Sequence, residues 1–507
     1  FGPAFVADAC DGLARRAPLR SAKRRLSLTQ RAGLFVATAA LGACLYLAPF
    51  DALFLTNIAL LLIFTPVLAF RAYALAQAAT RPVRPARPRR LLADHELPIY
   101  TLLAPLYREA NMLPDLAAHL AALDYPAEKL DIKLVIEGDD AETLAAARAL
   151  SLDARFDIIE VPPGEPRTKP KACNYALAFA KGDYVAIFDA EDAPARDQLR
   201  RAASVFAESP PDLACLQAAL RFYNRDQNWL TRQFAIEYAS HFGMLLPALE
   251  RVDWPIPLGG TSNHFRIDVL RRVGAWDAYN VTEDADLGLR LASAGYRCRL
   301  FASATAEEAT CTLRGWVGQR ARWIKGYMQT FLVNNRRPGA RLKRMGWRRY
   351  AGLEIFLGGA ILTSFAYPAF IVLWTLEALW DLPTPMSISQ GALAPANLAL
   401  IIAGAAISLG SAAWGASAAG LGRGLTGAML IATAPAYRIL MGLAGVLAFW
   451  DLIRRPNHWR KTTHGLSRDM IRGAFSGRRP PLIPETRRAT ESPQFRDRTK
   501  ITYRSTL

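Results

Sequence analysis

The chain has 507 residues, 52% of them hydrophobic, and a formal net charge of +18, with a mean hydropathy of only +0.09. That length holds a full catalytic domain and more, and the mixture suits a soluble domain joined to membrane helices better than either alone. The charge excludes no membrane protein, but it does not mark a nucleic-acid binder: the basic residues crowd beside apolar spans, and no helix-turn-helix or RNA-binding signature accompanies them.

Residues 1–31 form a basic leader that includes Lys23, Arg24 and Arg25. The first apolar run starts near Ala32 behind this leader, which is not the layout of a cleavable signal peptide. Two apolar runs, 32–50 and 53–70, each approach the ~20 residues that a bilayer core needs, and Pro49-Phe50-Asp51 between them suits only a hairpin turn. A transmembrane hairpin over 32–71 is therefore expected. Basic residues on both outer flanks place its tip outside and residue 80 onward in the cytoplasm. Pro82, Pro85 and Pro88, interleaved with Arg, predict an extended linker over 72–96. The six cysteines show no C-x-x-C, so neither a disulfide framework nor a zinc site is expected.

From residue 97 the pattern changes. Ile99–Tyr107, Ile132–Glu137, Phe156–Val161 and Tyr184–Phe188 are short β-rich runs. Leu113–Leu123, Glu142–Leu150 and Ala172–Ala180 lie between them with helical spacing. This alternation predicts a doubly wound, mostly parallel α/β sheet, in which ligands sit at the carboxyl ends of strands. The domain is expected to run over 97–335. Its second half, richer in Trp, Arg and Tyr, reads as the acceptor side. Residues 336–352, with Leu342–Tyr350 mixing cations and aromatics, predict an interfacial amphipathic helix. Three apolar runs follow within 353–450: Ile355–Leu379, Leu393–Ala418 and Ala428–Phe449. Three crossings would leave the basic tail, 451–507, on the outer side, against the positive-inside tendency. Either one run is re-entrant or interfacial, or a crossing is disguised; the runs around Pro368 and Pro435 are the suspects. Beyond 480 the tail is polar and is expected to be disordered.

Four islands carry the chemistry. Asp189-Ala190-Glu191-Asp192 ends a strand; three acids there repel one another unless a cation sits among them, and Mg²⁺ or Mn²⁺ takes such oxygens together with diphosphate. The competing reading is a helix cap. Glu137-Gly138-Asp139-Asp140 also follows a strand; one acid could accept from a base or ribose, and one of the two Asp suits the cap of the next helix. Thr282-Glu283-Asp284 opens a helix, where acids favour the dipole, and Asp284 is the candidate general base. Gln319-Arg320-Ala321-Arg322-Trp323 reads either as an amphipathic surface helix or as a Trp under a sugar ring with Arg322 on a diphosphate. Lys169, Lys171 and Asn174 open a helix and could meet phosphate. Gly259-Gly260-Thr261 is a small-residue turn that either brings backbone close to substrate or is simply a turn.

Taken in order, these residues resemble the membrane-integrated, processive family 2 glycosyltransferases, the group of cellulose, hyaluronan and chitin-like synthases. That family's signature is D, D-x-D, (T/S/G)-E-D and Q-x-x-R-W. It falls here on Asp139 or Asp140, on Asp189 with Glu191, on Glu283-Asp284, and on Gln319, Arg322 and Trp323. Pro105-Leu106-Tyr107-Arg108-Glu109 is similar to the family's first nucleotide-contacting loop, and Lys171-Ala172-Cys173-Asn174 to its K-A-x-N. Two departures stand out: Glu191 replaces the second Asp of D-x-D with Asp192 beside it, and the first island is doubled.

The resemblance implies a GT-A-type α/β domain embedded between transmembrane helices, and an inverting enzyme. Asp284, with Glu283, would be catalytic. Tyr107, Glu109, Asp139, Asp140, Lys171, Asn174, Asp189, Gln319 and Arg322 would hold the donor, and Trp323, Gly260 and Thr261 the acceptor. Asp189, Glu191 and Asp192 would hold Mg²⁺ or Mn²⁺. The expected partners are a UDP-sugar, a growing polysaccharide, the lipid bilayer and envelope export or regulatory proteins, but not nucleic acid. UDP-glucose making a β-glucan is the first expectation and UDP-N-acetylglucosamine the next, on a multi-pass inner-membrane protein with a cytoplasmic catalytic domain. A non-processive transferase to a lipid carrier or glycolipid is the alternative. An inactive scaffold or a transporter is disfavoured by the intact acid set and by the few charges within apolar runs (Arg71, Glu377 and Arg438).

Overall fold

The computed structural model describes residues 3–24, 26–366, 375, 379, 393–459 and 465–467. Most of the expected run Ile355–Leu379, with Pro368, lies outside the described residues, as does the tail beyond 467.

One mixed sheet organises the α/β domain. Its strands are β1 (Tyr100–Leu106), β2 (Leu130–Glu137), β3 (Phe156–Val161), β4 (Tyr184–Ile187), β5 (Ala193–Pro194), β6 (Leu213–Phe222), β7 (Asn263–Arg266) and β8 (Arg297–Glu307). They lie in the order β3-β2-β1-β4-β7-β6-β8-β5. β1 runs parallel to β2 and β4, β2 to β3, and β6 to β8. β7 is antiparallel to both β4 and β6, and β5 is antiparallel to β8. Only β5 and β7 therefore oppose the common direction. Every residue of β2 is buried, as befits a strand covered on both faces. Two of its three charged residues are paired with each other, Lys133 Nζ lying 2.7 Å from Asp131 Oδ1.

Alternation along the strands sends neighbours to opposite faces. Leu103, Val135 and Val185 pack with helices Lys169–Leu177 and Glu283–Ser293 on one side. Leu102, Ile132 and Ala186 pack with helices Leu113–Ala121 and Gln198–Ala207 on the other. The carboxyl ends of β1, β2, β4, β6 and β8 consequently share one edge, and the acids after them face one space.

Among the described residues, four helices are long and apolar enough to cross a membrane: Leu28–Leu47, Pro49–Thr80, Ala394–Ala418 and Ala434–Arg454. Ser27 caps the first, accepting from the Gln30 backbone N–H. The second is longer than the hairpin run predicts. Ala72, Ala74, Ala76, Ala78 and Ala79 are strong helix formers that carry the helix into the region expected as linker. Its end docks on the catalytic domain, where Phe70 stacks on Trp254 with ring centroids 4.8 Å apart. Pro435 does not interrupt a span: it lies in the first turn of Ala434–Arg454, where its missing N–H is not needed, and a separate helix, Gly424–Ala432, precedes it. A helix, Pro338–Leu353, covers most of residues 336–352; it is broken at Gly346 by a φ of 77°, which glycine adopts without steric cost.

Helix Leu313–Asn334 ties these parts together. Gln30 Nε2 at the first membrane helix donates to Leu332 O at 2.8 Å. Trp316 Nε1 donates to Tyr437 Oη on the last at 3.2 Å. Just beyond its end, the Arg336 guanidinium donates to the carbonyls of Pro18, Leu19 and Ser21 at 3.2, 3.2 and 2.8 Å, and to that of Arg24.

Candidate active site

A cavity of about 930 Å³ opens at the carboxyl edge of the sheet and continues down between the membrane helices. Tyr107, Glu109, Glu137, Lys169, Asp189, Glu191, Gly260, Thr261, Glu283, Asp284, Glu307, Gln319, Arg322 and Trp323 all line it. Three of the four sequence islands thus meet around one space, and the fourth reaches it through Glu137.

The donor-side residues of the sequence reading divide. Tyr107 and Glu109 stand at the cavity on a loop held from below. Asp140 accepts from the Arg108 backbone N–H and, at 3.3 Å, from that of Thr143, so it caps helix Ala141–Ala149 and braces the loop. Arg108 there has a φ of 54°. Asp139 pairs with Arg167, and it is Arg167 that reaches the cavity wall. Lys171 is fully buried, donating to Glu137 Oε2 at 2.7 Å and to Pro162 O at 2.9 Å. Asn174 bonds the backbone of Ala9 and Trp276. Neither side chain lines the cavity. Lys169, two residues earlier, does: its Nζ donates to Asp189 Oδ1 and, at 2.7 Å, to Gly260 O. Burial opposes its charge, yet Asp189 and Glu283 raise its pKa above the ordinary value.

The acid island after β4 also divides. Asp189 and Glu191 face the cavity. Asp192 is fully buried behind them, with Oδ2 accepting from the Asp189 N–H at 2.7 Å and from Thr261 Oγ1. It supports both Asp189 and the Gly259-Gly260-Thr261 turn. Among the described residues no three Asp, Glu, His or Cys side chains converge as a finished metal cage. The donor chemistry nonetheless fits a divalent cation shared with a diphosphate, which needs only one or two protein carboxylates. Among the described residues three buried carboxylate oxygens, Asp192 Oδ1, Asp286 Oδ1 and Glu307 Oε1, have no hydrogen-bond partner. Glu307, at the end of β8, is a cavity residue the sequence reading passed over; an acid pair (Glu307-Glu308) closing an alternating strand was its one signal.

Glu283 and Asp284 begin helix Glu283–Ser293, where the helix dipole favours negative charge. Asp284 Oδ1 accepts from the Ala285 N–H at 2.8 Å, and a Cβ at Gly260 would stand 3.4 Å from Asp284 Oδ2. Burial raises the pKa of Asp284; burial and the adjacent Asp284 charge push Glu283 up to about 8. Because the folded-state value of Glu283 lies above its ordinary 4.5, its contribution to stability is present at low pH and lost as pH rises through that window. The ligand-free protein is therefore expected to melt at lower temperature at pH 8.5 than at pH 5.5, measured by tryptophan fluorescence; a flat or opposite trend would show that the pair is not buried as described.

Helix Leu313–Asn334 props this pair from beneath. Gln329 Oε1 accepts from the Val281 N–H at 3.1 Å, and Asn280 Nδ2 donates to Thr330 Oγ1 at 2.8 Å. Gly326 lies against Thr282, and a Cβ there would stand 2.3 Å from Thr282 Oγ1. Gly326→Ala is expected to displace the Thr282-Glu283-Asp284 turn, lowering kcat about tenfold and stability by about 1–3 kcal/mol; Thr282→Ala in the same chain, by removing both the clashing hydroxyl and the methyl, should recover part of both.

Along the same helix, Gln319 Oε1 accepts from Thr310 Oγ1 at 3.3 Å. Arg322 is drawn toward Glu283, Asp284 and Asp189, although burial lowers its pKa. Trp323 packs on Tyr238 and Phe234 and also lines the cavity. Arg320, the residue between, lines the cavity too, but it is committed to a two-pronged pair with Glu237 at 2.9 and 2.5 Å.

Residues 184–407 match the family model described as Glycosyl transferase family group 2. Over these residues the chain is similar to the family 2 glycosyltransferases. The match begins at β4, so it contains the Asp189, Asp284 and Arg322 islands but not the Tyr107 and Asp139 loops. Beta-monoglucosyldiacylglycerol synthase of Synechocystis sp. is 27% identical over 299 residues, 57% of this chain and 60% of that protein. Cellulose synthase 1 catalytic subunit of Komagataeibacter xylinus is 28% identical over 260 residues, 49% of this chain and 33% of that one. The chain thus spans well under two thirds of these relatives. Among solved structures, the mannosyltransferase PcManGT of Pyrobaculum calidifontis, in complex with GDP-Man and Mn²⁺, superposes with a TM-score of 0.51 at 22% identity, covering 79% of this chain and 99% of that one. The glycosyltransferase domain therefore has a GT-A-like fold.

Proposed function

We propose that the protein is an inverting membrane hexosyltransferase that takes a UDP-sugar, UDP-glucose first and UDP-N-acetylglucosamine next, and extends a β-linked exopolysaccharide at the cytoplasmic face of the inner membrane. The observation that carries this reading is the placement of Asp284, Asp189 and Arg322 on one cavity that continues between membrane helices. Asp284 takes the proton of an acceptor hydroxyl as that oxygen attacks the anomeric carbon. The new carbon–oxygen bond forms as the bond to the diphosphate breaks, and the nucleoside diphosphate leaves with the bonding pair. Lys169 and Arg322 carry the positive charge that meets the growing charge of the leaving group. Mg²⁺ or Mn²⁺, held by Asp189 and Glu191, would add Lewis-acid neutralisation of that diphosphate; the Mn²⁺ in the related mannosyltransferase structure supports the choice. Trp323 offers a ring face for stacking the acceptor sugar.

A second reading, transfer to a lipid hydroxyl, is favoured by the lower wall of the cavity. Val67, Leu68, Ile361, Leu400, Ile401 and Ala405 line it there, a surface suited to acyl chains as well as to sugar rings. The glycolipid synthase among the relatives supports it too. Radiolabelled UDP-sugars supplied singly to the protein in nanodiscs with Mn²⁺ separate the readings. Label in a water-phase, glucanase-sensitive product is the expected result; label partitioning wholly into chloroform–methanol selects the lipid acceptor. Transfer unaffected by EDTA would overturn the metal assignment.

A further inference from the structure

Helix Ala434–Arg454 is long and apolar enough to span a bilayer, yet its packing holds it on one side. It lies along helix Leu313–Asn334 from end to end. Near its start, Tyr437 Oη accepts from Trp316 Nε1 and from Arg320 Nη2, both at 3.2 Å. Midway, Ala444 and Ala448 pack on Ala321, Ile324 and Met328. Just past its end, Lys325 Nζ donates to His458 O at 2.8 Å and Gln329 Nε2 to Pro456 O at 3.0 Å. The two helices thus run side by side in the same direction. Helix Leu313–Asn334 is no candidate span. It carries Arg314, Arg320, Arg322 and Lys325 without an acid, a load that lipid opposes, and it braces the turn before Glu283. The other face of Ala434–Arg454 is different in kind. Ile439, Leu443, Val446, Leu447, Trp450 and Ile453 are 40–55% exposed, at spacings that share one helical face. Arg438 and Arg454 bracket that face, the Arg454 guanidinium lying 4.0 Å from the Trp450 ring centre. Trp beside Arg at a helix end is the composition of a membrane–water boundary.

We propose that helix Ala434–Arg454 does not cross the bilayer but lies along the leaflet nearest the α/β domain, its apolar face seated at the boundary between headgroups and acyl chains. This rests on the membrane reading above. A helix tied at both ends to Leu313–Asn334 stays on the side where that helix works. The same placement resolves the crossing count. The sequence-predicted runs Ile355–Leu379 and Leu393–Ala418 then cross, and the chain after them stays on the domain's side. There the Gly465 and Ser467 N–H groups donate to the Glu308 carboxylate, next to the end of β8, a bond closed to a tail on the far side. Pro435, Arg438 and Met441 also line the cavity, so this helix stands as the wall between the cavity and the lipid.

The test needs no turnover. A keto amino acid is placed singly at Arg423, Arg455 and Arg148 of the full-length protein, all exposed positions, and reacted with a membrane-impermeant hydroxylamine dye in sealed vesicles of known orientation. Arg423 precedes the helix pair Gly424–Ala432 and Ala434–Arg454, Arg455 follows it, and Arg148 marks the surface of the α/β domain. All three are expected to react from one side; Arg423 and Arg455 reacting from opposite sides would overturn the proposal. Where these variants do not fold, depth decides. Nitroxides coupled to the same amino acid at Leu443, Leu447 and, as reference, Leu62 of Pro49–Thr80 report depth by their collisions with oxygen and with a water-soluble nickel chelate. A spanning helix carries Leu443 and Leu447 to the bilayer centre, about 15 Å from either surface of the hydrocarbon. The expected result is about 5–10 Å for both, shallower than Leu62. Labels as deep as Leu62, or as open to the nickel chelate as in water, would overturn the proposal. Nickel exposure at Leu62 itself would instead defeat the underlying membrane reading.

Discussion

Asp284→Asn is expected to reduce sugar transfer by about 10³-fold, within the range that a positioned general base supplies, while UDP-sugar binding changes less than threefold. Asparagine keeps the shape and can still accept from the Ala285 N–H, the contact that orients the native side chain. It cannot take the acceptor proton. Placement argues for separating the two readouts: Asp284 stands beside Gly260, whereas the donor-side charge in the proposed function is assigned to Asp189, Lys169 and Arg322, which line the same cavity. Calorimetric titration with UDP alongside initial rates would check it. Retention of full transfer would remove Asp284 as the base. A loss of UDP affinity equal to the loss of rate would move it to the donor side.

The second large effect is on stability. Arg320 and Glu237 are 5% and 22% exposed at their side chains and are joined by two hydrogen bonds. Tyr437 Oη on the last membrane helix donates to Glu237 at 2.5 Å, and the guanidinium lies 4.3 Å from the Phe234 ring centre and 4.5 Å from that of Trp323. Glu237→Ala leaves a buried guanidinium without its counter-charge, and a destabilisation of about 3–5 kcal/mol is expected. Replacing both partners, Glu237→Leu with Arg320→Met, should recover most of that loss, because the desolvation penalty goes with the charges. Thermal unfolding in a fixed detergent compares the variants. A double variant as unstable as the single one would show that the pair itself, and not the stranded charge, sustains the junction.

Much of this architecture is legible in the residues, for identifiable reasons. β1 to β4 stand where β-rich runs alternate with helical spacing, and the acids that follow β4 and open Glu283–Ser293 face the cavity because strand ends dictate it. What failed to show is equally physical. An acid after a strand looks the same whether it caps a helix or meets a ligand; Asp140 is settled only by the backbone N–H groups of Arg108 and Thr143 that reach it. Lys169 and Lys171 lie on one short helix, and the burial of Lys171 under Glu137 depends on β2 passing behind it. Glu307 was hidden because β8, which brings it to the cavity, pairs with a two-residue strand across a long sequence separation. The end of helix Pro49–Thr80 was missed because hydropathy ends where helix propensity does not: alanines continue the helix after the apolar run stops.

The Arg336 and Gln30 bonds have a mechanical meaning. Arg24, held through its carbonyl by Arg336, is only three peptide steps from Ser27, the cap of the first membrane helix. Such a span is at most about 11 Å even fully stretched. The catalytic domain is therefore moored to the bilayer on a short leash at this corner, with Gln30 tied to the same helix that carries Gln319 and Trp323. On the proposed reading, these bonds set the height of Asp284 relative to the apolar helices, and an acceptor hydroxyl has to be brought to that height.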